Sequence, residues 1–313
     1  MTKIAVAPAT TGAVVSPTPR AALLGGLAIA ITAAVLFSTK AIVAKLLYRY
    51  QLDAVTVLAF RMLFSLPVFA AVAWWQMRRG PALSVADRWR LVGLGLVGYY
   101  LSSFLDFLGL QYITVGLERL ILFLTPTFVL LITTVVLKQR IARLQWLALL
   151  VSYCGIVLVF VHDLGGKGEH GQLVLGALLV LGSAASYAVY LLGSAELVKR
   201  IGALRLVAYA MCVSSVACIA QFFALRPAAL LIQPPAVYGL SLVNAILCTV
   251  LPVFMTMAAV QRIGAPTASQ AGMIGPVSTL FLGAALLGEP IGAWQLGGTT
   301  LVLAGIYLLS KKR

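Results

Sequence analysis

Charge is what this sequence has least of. Only 10% of its 313 residues are Asp, Glu, Lys or Arg, where a soluble domain carries about 25%. Too little polar surface is available to wrap a water-soluble fold of this length. Acidic residues are scarcer still, at 8, and histidines number 2. No HExxH, GxSxG or P-loop occurs, so zinc-peptidase, serine-hydrolase and nucleotide-hydrolysing machinery are unsupported. The 4 cysteines, Cys154, Cys212, Cys218 and Cys248, all lie in apolar segments without CxxC or Cys/His spacing. They read as small packing residues, and neither a metal nor a cofactor is expected. His162 and His170 flank a Gly-rich loop and read as solvated rather than ligating.

What the chain has in excess is apolar length. Hydrophobic residues make up 62% of it and the mean hydropathy is +1.04. The segments Leu206–Leu225, Ile263–Gly288 and Pro290–Ser310 contain no charged residue. Each reaches the roughly 20 residues that a helix needs to cross a bilayer core. The apolar runs are continuous rather than alternating, which excludes a membrane β-barrel. The chain reads as an all-α polytopic membrane protein with ten spans, near 21–47, 54–75, 91–111, 116–137, 144–161, 173–195, 206–225, 236–258, 265–287 and 291–310. The first apolar run is too long for a signal peptide and lacks a cleavage site, so it reads as an uncleaved span.

The 23 Lys and Arg residues could suggest a nucleic-acid partner, but their distribution records topology instead. Taking the N-terminus, alternate loops and the C-terminus as one side collects sixteen of them; the other side holds four, Lys45, Arg49, Lys167 and Arg226. The positive-inside rule puts both termini in the cytoplasm.

The same chain is written twice. A gapless shift of 150 positions lays Gln111 on Gln261, Ile113 on Ile263, Pro126 on Pro276, Leu130 on Leu280, Gln145 on Gln295 and Gly155 on Gly305. With five spans per copy, the second copy enters the membrane from the opposite side, so the copies are inverted repeats. Such repeats around a midplane site characterise secondary transporters. The expected organisation is a disordered cytoplasmic tail over 1–20, a first repeat over 21–162, a connecting loop over 163–172, a second repeat over 173–310 and a basic C-terminus over 311–313.

The stretch QYITVGLERLILFLTPTFVLL with its following helix, and more closely APTASQAGMIGPVSTLFLGAALLGEPI, resembles the drug/metabolite transporter superfamily of the EamA type. The family's Glu after the proline helix is kept as Glu289 but replaced by Gln139 in the first copy. Its first-span aromatic position is Phe37 and Tyr187 here. The resemblance spans about residues 21–310. It implies ten helices, a central cavity between the halves, and export or exchange of small metabolites across the plasma membrane, often amino acids.

Charges inside a span are costly and usually face a cavity. Lys40, Arg61, Asp106, Glu118 and Arg119 all fall in the outer half of the first repeat, opposite the uncharged Tyr190, Met211, Thr256, Ala268 and Ser269. Lys40 and Arg61 are candidates to meet a carboxylate, and Asp106 or Glu118 to meet an ammonium or carry a proton. Two bland readings stand beside these: Lys40 snorkels or pairs with Asp106, and Glu118 and Arg119 cap a helix start. Tyr99, Tyr190, Asn244 and Gln270 complete the expected cavity wall, although serine-rich stripes on the same helices also serve as interhelical glue. Pro126 and Pro276, with Gly272 and Gly275, are candidate hinges, because matched interruptions in two repeats point to a transport site. The expected partners are lipid, a small solute and in one variant protons, with the monomer as functional unit. A channel, an importer and a membrane-embedded enzyme remain as alternatives.

Overall fold

The computed structural model describes residues 19–137, 143–164 and 170–310. Residues 1–18 of the expected N-terminal tail over 1–20, Gln139 in the basic turn, the loop around Lys167 and the basic 311–313 lie outside the described residues, while Pro19 and Arg20 already belong to the first helix. Among the described residues every regular element is helical, and 9 helices are long and apolar enough to cross a membrane. Ala293–Leu308 is a shorter apolar helix at the position of the tenth span.

In chain order these are α1 (Pro19–Tyr48), α2 (Ala54–Arg79), α3 (Val85–Gly109), α4 (Val115–Leu122 and Thr125–Leu137) and α5 (Arg143–Leu164) in the first repeat. The second repeat supplies α6 (His170–Ile201), α7 (Ala203–Leu225), α8 (Pro235–Ile263), α9 (Ala265–Gly272 and Ile274–Leu287) and α10 (Ala293–Ser310). Their ends follow local chemistry. Asp53 caps α2 by accepting from the Thr56 N–H, and Thr114 caps α4 by accepting from the Leu117 N–H. The chain leaves α9 through Gly288 at φ 73°, a left-handed conformation that glycine adopts without strain.

The repeat seen in sequence is also a repeat of contacts. The first helix of each copy packs on the other copy: α1 against α8 and α9, α6 against α3 and α4. The helices α2 and α7 pair across the pseudo-two-fold axis, as do α5 and α10. At the second crossing a Cβ on Gly155 would stand 2.6 Å from the Gly298 carbonyl, and one on Gly305 would stand 2.6 Å from the Ala148 carbonyl. Those contacts exchange under the 150-residue shift. Small residues let backbones meet where lipid offers no hydrophobic drive for association.

Irregular backbone is duplicated too. A π-helical turn occupies Leu96–Leu101 in α3 and another occupies Ile246–Val250 in α8, at the same register of the repeat. The α4 segments part at Phe123–Leu124 and those of α9 at Met273, immediately before Pro126 and Pro276. Pro126 has no N–H for the Leu122 carbonyl, and the Thr125 hydroxyl donates to that carbonyl instead at 2.7 Å.

Candidate functional site

A cavity of about 580 Å3 lies between the halves, and its lining defines a direction. It is walled by the cytoplasmic halves of α1, α6, α8 and α9 and by the start of α7, from Ala30 and Val198 at its mouth to Phe37 and Arg119 at its inner end. Beyond its inner end the helices α1 to α4 are packed, and a separate cleft of about 690 Å3, lined by Lys45, Tyr112, Thr114, Asp163 and Gln295, lies at the outer ends. Ile42, Leu47, Phe107, Leu110 and Val115 form one buried core with α2. A larger apolar groove, lined by Trp146, Tyr153, Val157 and Trp294, lies on the outer surface of the α5–α10 pair and suits acyl chains rather than a polar solute.

Outside the core, the outer ends are tied across the repeats. Asp53 pairs with Arg226 at 2.6 Å, and Arg49 donates to the Leu287 carbonyl at 3.1 Å. Glu289 accepts from the Val115 N–H at 3.0 Å, so this acid of the second copy joins Thr114 in capping α4 of the first. Burial pushes the Glu289 carboxyl up, against the opposing pull of that N–H and of Lys45. Burial also pushes Asp53 upward, but the hydrogen bonds from Thr56 and Arg226 outweigh it and hold its carboxyl below the ordinary range.

The cavity wall is aromatic. Tyr99 sits in the π-turn of α3, and its ring meets Tyr190 edge-on with centroids 5.0 Å apart, while Tyr190 stacks on Tyr187 at 5.5 Å. The approach requires Gly98, where a Cβ would collide with the Tyr190 ring. The Val97 carbonyl, which accepts the π-type bond from the Ser102 N–H, also accepts from the Ser186 hydroxyl at 2.7 Å. Ser102 and Ser183 join the same two helices at 3.0 Å. These serines act as interhelical glue, the bland reading of the stripes.

The sequence-predicted residues separate into layers. Tyr99 and Tyr190 line the cavity. Lys40 and Asp106 form a buried ion pair at 2.5 Å in the layer just outside it, so Lys40 does not snorkel. Phe107 lies between Lys40 and Arg61, with 5.6 Å and 5.2 Å to its centroid. Arg61 donates through Nε to Thr249 Oγ1 at 2.8 Å; Thr249 in turn donates to the Asn244 carbonyl at 2.9 Å across the second π-turn. The Asn244 side chain is fully buried behind that turn and away from the cavity. Gln270 is exposed on α9 and does not line the cavity. Glu118 is fully buried in the electrostatic field of Asp106, Lys40 and Arg119. Neither it nor Arg119 caps α4, a role Thr114 fills. The side chains at 265, 266 and 269 lie outside the described residues.

Arg119 is the charged group that reaches the cavity. Its guanidinium donates to Ser38 Oγ at 3.1 Å, and Ser38 contacts the Gly275 carbonyl of α9 at 3.1 Å. The breaks of α4 and α9 therefore meet at one junction with α1. In the sequence Lys40 and Arg61 stand out as carboxylate partners and Arg119 is one of the remaining intramembrane charges; no local pattern shows that Phe37, Ser38 and Gly275 gather around it.

Two five-helix units of opposite orientation, interleaved through their first helices around a central cavity with matched breaks, define the architecture of an inverted-repeat membrane transporter. The comparisons name the family. The model of the EamA-like transporter family matches residues 24–161 and again 174–311, and the chain belongs to that family. An uncharacterised transporter of Bacillus subtilis (strain 168), YcbK, is 33% identical over 285 residues, covering 87% of this chain and 89% of the relative. A second from the same organism, YyaM, is 26% identical over 218 residues, covering 69% and 71%. An uncharacterised transporter of Archaeoglobus fulgidus is 24% identical over 245 residues, covering 75% and 82%. A solved crystal structure at 17% identity superposes with a TM-score of 0.63 over 91% of this chain and 96% of that one, a likeness of fold. The protein is a multi-pass membrane transporter.

Proposed function

We propose that this transporter exports amino acids, aromatic and other neutral ones included, from the cytoplasm across the plasma membrane by alternating access. The observation that carries the reading is the cavity: it runs from the midplane to the cytoplasmic ends of the helices, has a tyrosine-rich wall, and stops at the buried core around Ile42, Phe107 and Leu110. A solute loading from the cytoplasm meets rings suited to an apolar or aromatic side chain and a cationic group at its far end. Inverted repeats supply a second arrangement of similar energy with the opening reversed.

In this reading Tyr99 and Tyr190 contact the solute. Lys40, Arg61 and Asp106 form the charged layer behind the closed outer half, with Asn244 bracing it, and Gln270 contributes only when α9 moves. Glu118 and Asp106 serve gating or proton linkage. The α4 and α9 interruptions at Pro126 and Pro276, with Gly272 and Gly275, are the hinges. The monomer is the working unit, since one chain contributes both repeats.

Efflux of labelled amino acids from liposomes carrying the purified protein, with and without a pH gradient, tests this. Saturable efflux stimulated by external counter-substrate is expected of a carrier; flux that never saturates would assign a channel instead. Gradient-dependent efflux lost in Glu118→Gln would support proton linkage. Absence of efflux for every amino acid would remove the substrate class.

A further inference from the structure

We infer that Arg119 is the anion subsite of the cytoplasm-facing cavity, and that the group recognised on the solute is its carboxylate rather than its amine. The inference rests on the transport reading above and narrows it.

Arg119 is 7% exposed and lies at the inner end of the cavity. Its guanidinium carbon sits 5.5 Å from the ring centroids of Phe37 and of Phe123, within cation–π range of both. One terminal nitrogen is held by Ser38 at 3.1 Å, and the buried Nε has no hydrogen-bond partner. Gly275 makes the placement possible, since a Cβ there would stand 2.9 Å from that same terminal nitrogen and 3.4 Å from Nε. The group is thus oriented by its neighbours but not saturated.

Its electrostatics are unbalanced in the same way. The charged groups around Arg119 are Glu118 and Asp106 in the layer behind it. Asp106 is committed to Lys40, and among the described residues neither acid pairs with Arg119 at ion-pair distance. A guanidinium taken out of water with no counter-ion is costly, and a planar oxyanion presented along its edge recovers that cost through charge-assisted bonds.

Among the described residues the cavity lining holds no carboxylate. Its remaining polar groups are hydroxyls, those of Tyr99, Tyr187, Tyr190, Ser194 and Thr256. An ammonium finds only rings and hydroxyls there, whereas a carboxylate finds Arg119 and an apolar body finds Phe37, Phe123 and the tyrosines. The ligand class is a small organic acid with an apolar or aromatic body, of which an aromatic amino acid is one member and its des-amino analogue another.

The test is equilibrium binding of labelled hydrocinnamate to the full chain purified in detergent. L-phenylalanine and unlabelled hydrocinnamate should compete within several-fold of each other, while phenethylamine, which lacks the carboxylate, should not compete. Arg119→Gln should weaken binding about ten-fold or more, the usual loss for a charge-assisted bond, and Arg119→Lys should lose less. Competition by phenethylamine equal to that of hydrocinnamate, unchanged binding in Arg119→Gln, or no binding of hydrocinnamate to the natural protein would overturn the assignment. Should the Arg119 variants fail to fold, Thr256→Cys on the cavity wall replaces them: hydrocinnamate should slow its alkylation by a maleimide and phenethylamine should not, with equal protection counting against the subsite. Arg119-dependent binding without liposome efflux would sink the export reading and leave the subsite standing. Saturable amino-acid efflux indifferent to Arg119→Gln would do the reverse.

Discussion

Three buried cations and two buried carboxylates share the outer half of the first repeat, and their pairing decides what each can do. Lys40 and Asp106 satisfy one another at 2.5 Å with side chains 7% and 3% exposed. Removing one partner leaves a charge stranded in a low-dielectric core, which costs about 3–5 kcal/mol. Asp106→Asn should therefore lower the thermal unfolding temperature in detergent sharply, and Lys40→Met combined with Asp106→Leu should recover most of the loss. A single variant as stable as the natural protein would show the pair to be hydrated. The half-buried Asp53–Arg226 pair is a different case, worth at most about 1 kcal/mol because water still screens it. Its carboxyl is held below the ordinary value, so its contribution is full above the unfolded carboxylate pKa and fades as pH falls through the lower folded one. In Arg226→Gln that acid-side decline should shrink, a difference readable in unfolding curves recorded from neutral to acidic pH.

Among the helices, two devices interrupt an otherwise regular bundle. The π-turns at Leu96–Leu101 and Ile246–Val250 each insert a residue, and an added residue rotates the rest of the helix by about 100°. No proline or glycine pattern shared by both copies announces them, yet Tyr99, inside the first π-turn, lines the cavity wall while Asp106, further along α3, lies outside it. The proline breaks were legible, because the repeat aligned Pro126 with Pro276. Replacing both prolines by alanine should leave the protein folded and slow efflux several-fold; efflux at the natural rate would deny the breaks a hinge role. Where helices touch through glycine, size is decisive. Gly155→Leu drives a side chain into the Gly298 backbone and should cost about 1–3 kcal/mol of overpacking, whereas a Cβ on Gly297 would meet Leu158 at an ordinary 3.5 Å, so Gly297→Ala should be near neutral. Thermal unfolding of the two variants side by side separates them.

For the molecule as a whole, the repeat relation turns one state into a forecast of the other. Residues 190, 256 and 268 line the cytoplasmic cavity, and their first-copy counterparts are Lys40, Asp106 and Glu118. Under the alternating access proposed above, exchanging the conformations of the two repeats would open an outward cavity lined by those three charged groups. Cysteines at 53 and 226, joined across the outer face by a short bis-methanethiosulfonate cross-linker, should lock the cytoplasm-open form and stop efflux, with reduction restoring it. Efflux surviving the cross-link would exclude rocking of the outer ends.

The sequence by itself determined the class, the ten-span reading, the orientation and the inverted repeat, because bilayer thickness, loop charge and duplication are all written along one dimension. It also held the Lys40–Asp106 pairing as one of several readings, since scarce intramembrane charges have few possible partners. Only the tertiary structure decided which of those charges meets the cavity. That depends on rotations introduced by two π-turns and two helix breaks, and on a junction where Ser38, Arg119 and Gly275, from three helices and both repeats, come together. Residues so far apart in the chain are joined by packing alone, and no local pattern records it.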